Sequence, residues 1–166
     1  MTWIIVVTRR ISERDMSLFK SIMNKLGLNQ ERVERYPIRV FLLDDDVRRH
    51  DWFSQRFKGD FVAITDNVEE ARQLLSASSY DAIFLDHDLL PEHYNSTSKD
   101  DDRTGYAIAA WLAANPKLQA AATILVHTRN ADGAMRMVEE LRAAGRTAAY
   151  VPFPYLAEKI KHYWAR

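Results

Sequence analysis

From Ile38 onwards the chain repeats one alternation. A short apolar run is followed by a longer stretch whose apolar positions recur every three or four residues. The runs IRVFLL (38–43), DFVAIT (60–65), DAIFL (81–85), ATILVH (122–127) and TAAYVPF (147–153) predict buried strands, being short and rich in β-branched and aromatic residues. The stretches DVRRHDWFSQRF, NVEEARQLLSAS, GYAIAAWLAANP, GAMRMVEELRAAG and LAEKIKHYWA predict the helices between and after them, with Phe53, Trp111 and Met137 at core spacings. Five strand–helix pairs imply right-handed crossovers and a parallel sheet covered on both faces. Before this unit, Trp3 to Val7 predicts one more strand, and Ser12 caps an amphipathic helix that ends at Gly27. The expectation is a doubly wound α/β domain over residues 38–166, preceded by a βα extension over residues 1–37. That extension either adds to a sheet edge or covers a face.

Composition narrows the partners more than the fold. The 166 residues suit one domain that buries about two thirds of its unfolded surface. Lys plus Arg and Asp plus Glu balance at 23 each, so the chain lacks the basic footprint of a long DNA or extended RNA surface. Nucleotides and short nucleic-acid ends remain open as partners. The absence of cysteine excludes disulfides, thiolate zinc sites and cysteine nucleophiles, and makes the cytoplasm the expected compartment. The run Trp3 to Val7 is too short for a membrane span, and Arg9 and Arg10 follow it rather than precede it as in a signal peptide. No membrane partner is expected, and a homodimer is left open.

Ligands of doubly wound sheets bind outside the carboxyl ends of the strands. Polar groups gather there: Asp44, Asp45 and Asp46, then Asp86, His87 and Asp88, then His127 and Thr128. Carboxylates of Asp44, Asp45 and Asp86 converging at neighbouring strand ends repel one another unless a cation lies between them. Mg2+ (or Mn2+) is the hard, oxygen-seeking choice. The same acidic run also suits a plain helix cap. Asp88 is either a further ligand or the group that orients His87. Histidine takes and gives protons near neutrality, so His87 and His127 across one phosphate would divide the base and acid roles. Taken singly, either is equally a hydrogen-bonded structural residue. Thr128, Asn130 and Gly133 place a hydroxyl, an amide and a glycine where helix N–H groups point outward, which makes an anion seat or an ordinary Asn cap. Arg48 and Arg49 lie one turn beyond the aspartates; one of them, with Arg48 the candidate, reaches a phosphate, or both form a solvated face. The long polar loop Glu92 to Thr104 is either a lid or an unstructured insertion.

These residues resemble the receiver domain of response regulators over roughly Ile38 to Arg166. FLLDDD matches the acidic pair at Asp44 and Asp45, and YDAIFLD matches the phosphoacceptor strand at Asp86. Thr128 falls at the hydroxyl position, and Pro152-Phe153 at the proline–aromatic pair. The departures are Val151, where receivers carry lysine, the long 91–105 segment, and histidines at 87 and 127. LDHDL together with HTRNADGAM is closer to a divergent group, the cyclic-phosphate-processing receiver domains. That resemblance implies a flavodoxin-like sheet in the order 2-1-3-4-5. It further implies a metal-dependent phosphoesterase acting on a cyclic phosphate of a small phosphorylated ligand such as a nucleotide or RNA terminus. The rival reading is a signalling or nucleotide-sensing module without catalysis. Val151 weighs against ordinary phospho-signalling because it cannot hold a phosphoryl group, whereas a sensor would share the enzyme's pocket residues.

Overall fold

The computed structural model describes residues 36–89 and 102–164, so the expected extension and most of the long loop lie outside the described residues. Five strands form one parallel sheet: β1 (Arg39–Leu43), β2 (Phe61–Thr65), β3 (Ala82–Leu85), β4 (Thr123–Val126) and β5 (Ala148–Tyr150). Their order is β2-β1-β3-β4-β5, the flavodoxin-like receiver topology. The helices are α1 (Val47–Arg56), α2 (Val68–Ala77), α3 (Gly105–Ala114), α4 (Ala131–Ala143) and α5 (Phe153–Tyr163).

The inner strands read as continuous apolar runs because both their faces are covered. Val40, Leu42, Ala82, Phe84 and Leu125 point to one face, where Phe53 and Phe57 from the first helix side and Leu156 and Ile160 of α5 meet them. Phe41, Leu43, Ile83, Leu85, Ile124 and Val126 point to the other, against Leu75 of α2, Ile108 and Leu112 of α3, and Met137 and Leu141 of α4. Phe53 and Phe84 are fully enclosed, and burying such a side chain stabilises by about 1.5–3 kcal/mol.

Two boundaries differ from the sequence expectation, each for a local reason. The last strand stops at Tyr150 rather than Phe153 and α5 starts at Phe153 rather than Leu156. Pro152 has no N–H to donate to a sheet and sits at the helix cap, and Pro154 occupies the first turn, where an N–H has no partner anyway. Helix α4 starts at Ala131, two residues before Gly133, because the Asn130 side chain caps it by accepting from Gly133 N at 2.9 Å.

Candidate functional site

The parallel ladder runs one residue past the strands. Asp44 N donates to Thr65 O, Asp86 N to Leu43 O, His127 N to Leu85 O and Val151 N to Val126 O, all at 2.9–3.0 Å. These bonds carry strand geometry into the residues that hold the chemistry. Side chains alternate along a strand, so Asp44 follows Leu42, Asp86 follows Phe84, and His127 follows Leu125 onto the α1/α5 face. His87 follows Leu85 onto the opposite face. One residue of offset therefore separates the two histidines.

On the α1/α5 side, Asp44 is completely enclosed. Its Oδ2 accepts from His127 Nε2 at 2.7 Å, and its Oδ1 accepts from Asp46 N at 2.8 Å. Arg49 reaches in from α1: its Nε lies 2.9 and 2.7 Å from the two Asp44 oxygens. Its Nη2 lies 2.7 Å from Asp44 Oδ1, 2.6 Å from Asp86 Oδ2 and 3.3 Å from Asp45 Oδ1. Asp86 Oδ1 accepts from His87 N at 2.8 Å, and the Thr128 hydroxyl favours the charged form of the Asp86 carboxylate.

Burial alone would raise the carboxyl of Asp44, but the bonds from His127, Arg49 and Asp46 N hold it below its ordinary value. Asp86 goes the other way. Burial and the neighbouring Asp44 charge raise it, against the opposing pull of His127, Arg49 and Thr128. Burial disfavours the Arg49 charge, yet Asp44 and Asp86 hold the guanidinium above its usual value. Interacting carboxylates of this kind share their protons unequally.

The expectation that Arg48 serves the site is not met. Its side chain is 88% exposed and forks onto Asp46. Arg49, passed over in favour of its neighbour, is the one that enters. The signal was present in helical spacing: Arg49 precedes the buried Phe53 by four residues and so shares its inward stripe.

On the α3/α4 side, His87 Nδ1 lies 2.6 Å from Asp88 Oδ1. Asn130 Nδ2 stands 3.4 Å from both that nitrogen and that oxygen. Because Asn130 Oδ1 is committed to Gly133 N, its amide nitrogen must face the pair. The carboxylate at 2.6 Å accepts, so Nδ1 carries a ring hydrogen, and the amide NH2 turns its own hydrogen to the Asp88 oxygen. Asp88 thereby takes the orienting role of its two alternatives. Gly133 is required here: a Cβ at that position would lie 2.5 Å from His87 Cδ2. At the start of α4, the expected place of an anion seat, the Asn130 side chain caps the helix by accepting from Gly133 N, and the Thr128 hydroxyl accepts from Asn130 N.

The histidines thus share no partner. His127 is wholly buried, with its ring 5.6 Å from Phe53, 6.5 Å from Phe84 and 6.4 Å from Phe153 between centroids. Its Nδ1 has no hydrogen-bond partner among the described residues. The expectation that His87 and His127 flank one phosphate as a pair is not what this geometry brings together.

Among the described residues, Asp44, Asp45 and Asp86 each bring one carboxylate oxygen within 4.8 Å of the others. That donor set suits a hard divalent cation in chemistry and spacing, and the group standing in its midst is the Arg49 guanidinium. Val151, at the position after the fifth strand, is buried and offers only apolar surface. Among the described residues no helix is long and apolar enough to cross a membrane.

Residues 38–143 match the family model described as cyclic-phosphate processing receiver domain. Solved structures of low identity share the fold. A CheY-like response regulator receiver domain from Methanospirillum hungatei JF-1 is 22% identical with a TM-score of 0.55, over 76% of this chain and 93% of that one. The chemotaxis protein CheY4 of Vibrio cholerae is 16% identical with a TM-score of 0.56, over 77% and 99%. A response regulator from Burkholderia pseudomallei, holding a phosphorylated aspartic acid, a calcium ion and citrate, is 23% identical with a TM-score of 0.55, over 76% and 65%. No curated protein matches the chain.

Proposed function

The chain belongs to the family of cyclic-phosphate processing receiver domains, and from that membership and the strand-end geometry we propose that it is a phosphoesterase opening a cyclic phosphate on a nucleotide or RNA end. The observation that carries this reading is the His87–Asp88–Asn130 arrangement. Asp88 accepts from Nδ1 at 2.6 Å and so orients the ring, and the reading assigns Nε2 the role of proton acceptor. The adjacent residue, Asp86, belongs to the acidic cluster where a phosphate would be managed.

In the proposed reaction His87 Nε2 takes a proton from water as the water oxygen bonds to phosphorus. The bond from phosphorus to one ribose oxygen breaks, and the proton passes on to that oxygen. His127 acts at one remove, since it bonds Asp44 and holds that carboxylate in place. Thr128 positions Asp86, and Asn130 and Gly133 set the His87 ring rather than touching substrate. Mg2+ is the proposed cofactor, to be held by Asp44, Asp45 and Asp86, where it would supply positive charge to the non-bridging phosphate oxygens.

The test is incubation of the full chain with a panel of 2′,3′- and 3′,5′-cyclic nucleotides and a cyclic-phosphate RNA end, followed by phosphorus NMR. Opening of at least one compound is expected, with turnover by His87→Ala lower by about 10²- to 10⁴-fold. A panel left intact at high enzyme concentration would remove the catalytic reading. A second reading, a receiver-like module, draws on Asp86 directly after β3 and Thr128 two residues after β4. A long-lived phosphoaspartate at Asp86 after acetyl phosphate treatment would favour it.

A further inference from the structure

The acidic seat already contains a cation. One guanidinium nitrogen, Arg49 Nη2, stands 2.6–3.3 Å from an oxygen of Asp44, Asp45 and Asp86. These are the same three residues whose oxygens cluster within 4.8 Å. A magnesium ion bonds its oxygens at about 2.0–2.1 Å, so an ion held by this set claims the space that Nη2 fills. The two cations exclude each other.

We propose that Arg49 is a built-in competitor for the cation seat, so that Mg2+ and the guanidinium occupy Asp44, Asp45 and Asp86 alternately. The inference rests on the reading of the seat as a magnesium site given above, but its test does not involve turnover. Three features support exchange over permanent occupation. Three carboxylates face one guanidinium, which leaves a formal excess of negative charge that a divalent ion offsets better. The Asp45 side chain is 19% exposed, whereas Asp44 is sealed; the seat therefore has an open side. Arg49 hangs from the first turn of α1 by a long flexible stem, so its head can leave without moving the helix.

Exchange also has a functional consequence. With arginine seated, the excess of negative charge repels a phosphate. With Mg2+ seated and the guanidinium displaced but near, the charges balance and the fork is available to an anion. Metal entry and phosphate entry become linked, and the seat is held together in the absence of metal by the protein's own cation.

The experiment is titration of the full-length wild type and of Arg49→Met with magnesium chloride, followed by calorimetry and thermal unfolding. A seat occupied by arginine nine times in ten weakens apparent metal affinity about tenfold. Arg49→Met is therefore expected to bind Mg2+ at least about tenfold more tightly than wild type, with a larger rise in Tm. Binding no tighter than in wild type, or none at all, overturns the proposal. Should the variant not fold, the wild-type Arg49 Nε–H resonance serves instead. It is expected to move as Mg2+ saturates the protein, and a resonance unmoved at saturation overturns the proposal equally. Inactivity towards every cyclic phosphate would sink the phosphoesterase reading while leaving these readouts standing.

Discussion

Two histidines stand at the ends of adjacent strands, and the protein surrounds them differently. His127, on the α1/α5 face, is locked into an ion network in which Asp44 accepts from His127, Arg49 and Asp46 N at 2.7–2.9 Å. His87, on the α3/α4 face, meets the Asp88 carboxylate at Nδ1, with Asn130 beside that pair and Gly133 against the ring. The first arrangement suits holding charge. Buried ions only break even with their desolvation when every lone pair is matched, and Asp44 meets that condition. The second suits moving a proton in the proposed reaction, because a carboxylate at Nδ1 fixes the orientation of the ring. The difference teaches that residue type and strand position do not set a role by themselves; the face on which the side chain leaves does.

The contrast can be broken by mutation. The largest expected effect is on turnover. With any cyclic phosphate the wild type opens, His87→Ala should lose about 10²- to 10⁴-fold in kcat while Tm stays near wild type. A stability loss with activity preserved would reverse the assignment of the two faces. Next is Asp44→Ala, which leaves the buried His127 without its carboxylate and Arg49 with only Asp86 and Asp45. Breaking a buried pair costs about 3–5 kcal/mol, measurable by urea unfolding. A loss near zero would show that the network is not internal to the fold. The third is Gly133→Ala, where the new methyl meets the His87 ring. Overpacking of this kind costs about 1–3 kcal/mol and should lower activity without altering the Mg2+-dependent rise in Tm. Arg48→Ala, at a side chain that faces solvent, is the control expected to leave both faces unchanged.

Much of this was legible in the chain. The alternation of short apolar runs and amphipathic stretches specified the five strand–helix pairs, because a strand covered on both faces must be apolar throughout. The acidic residues at strand ends marked the site's edge, because crossovers of one hand place all these ends together. Asn130 three residues before Gly133 was readable as a cap.

Other features needed the folded molecule. Sequence could place His87 and His127 at adjacent strand ends. Their separation to opposite faces rests on register, where a shift of one residue exchanges every side chain between faces. In the fold, Leu85 pairs with Val126, so Asp86 rather than His87 comes level with His127. Likewise Arg48 and Arg49 are indistinguishable in charge and nearly so in position. About 100° of helical rotation sends one to solvent and the other into the carboxylates. The sequence by itself determined which elements form and that acidic and imidazole groups collect at one edge of the sheet, since periodicity is local and strand ends are fixed by topology. Only the tertiary structure decided which of those groups touch, because contact depends on register, helix rotation and the close approach of α4 that Gly133 permits.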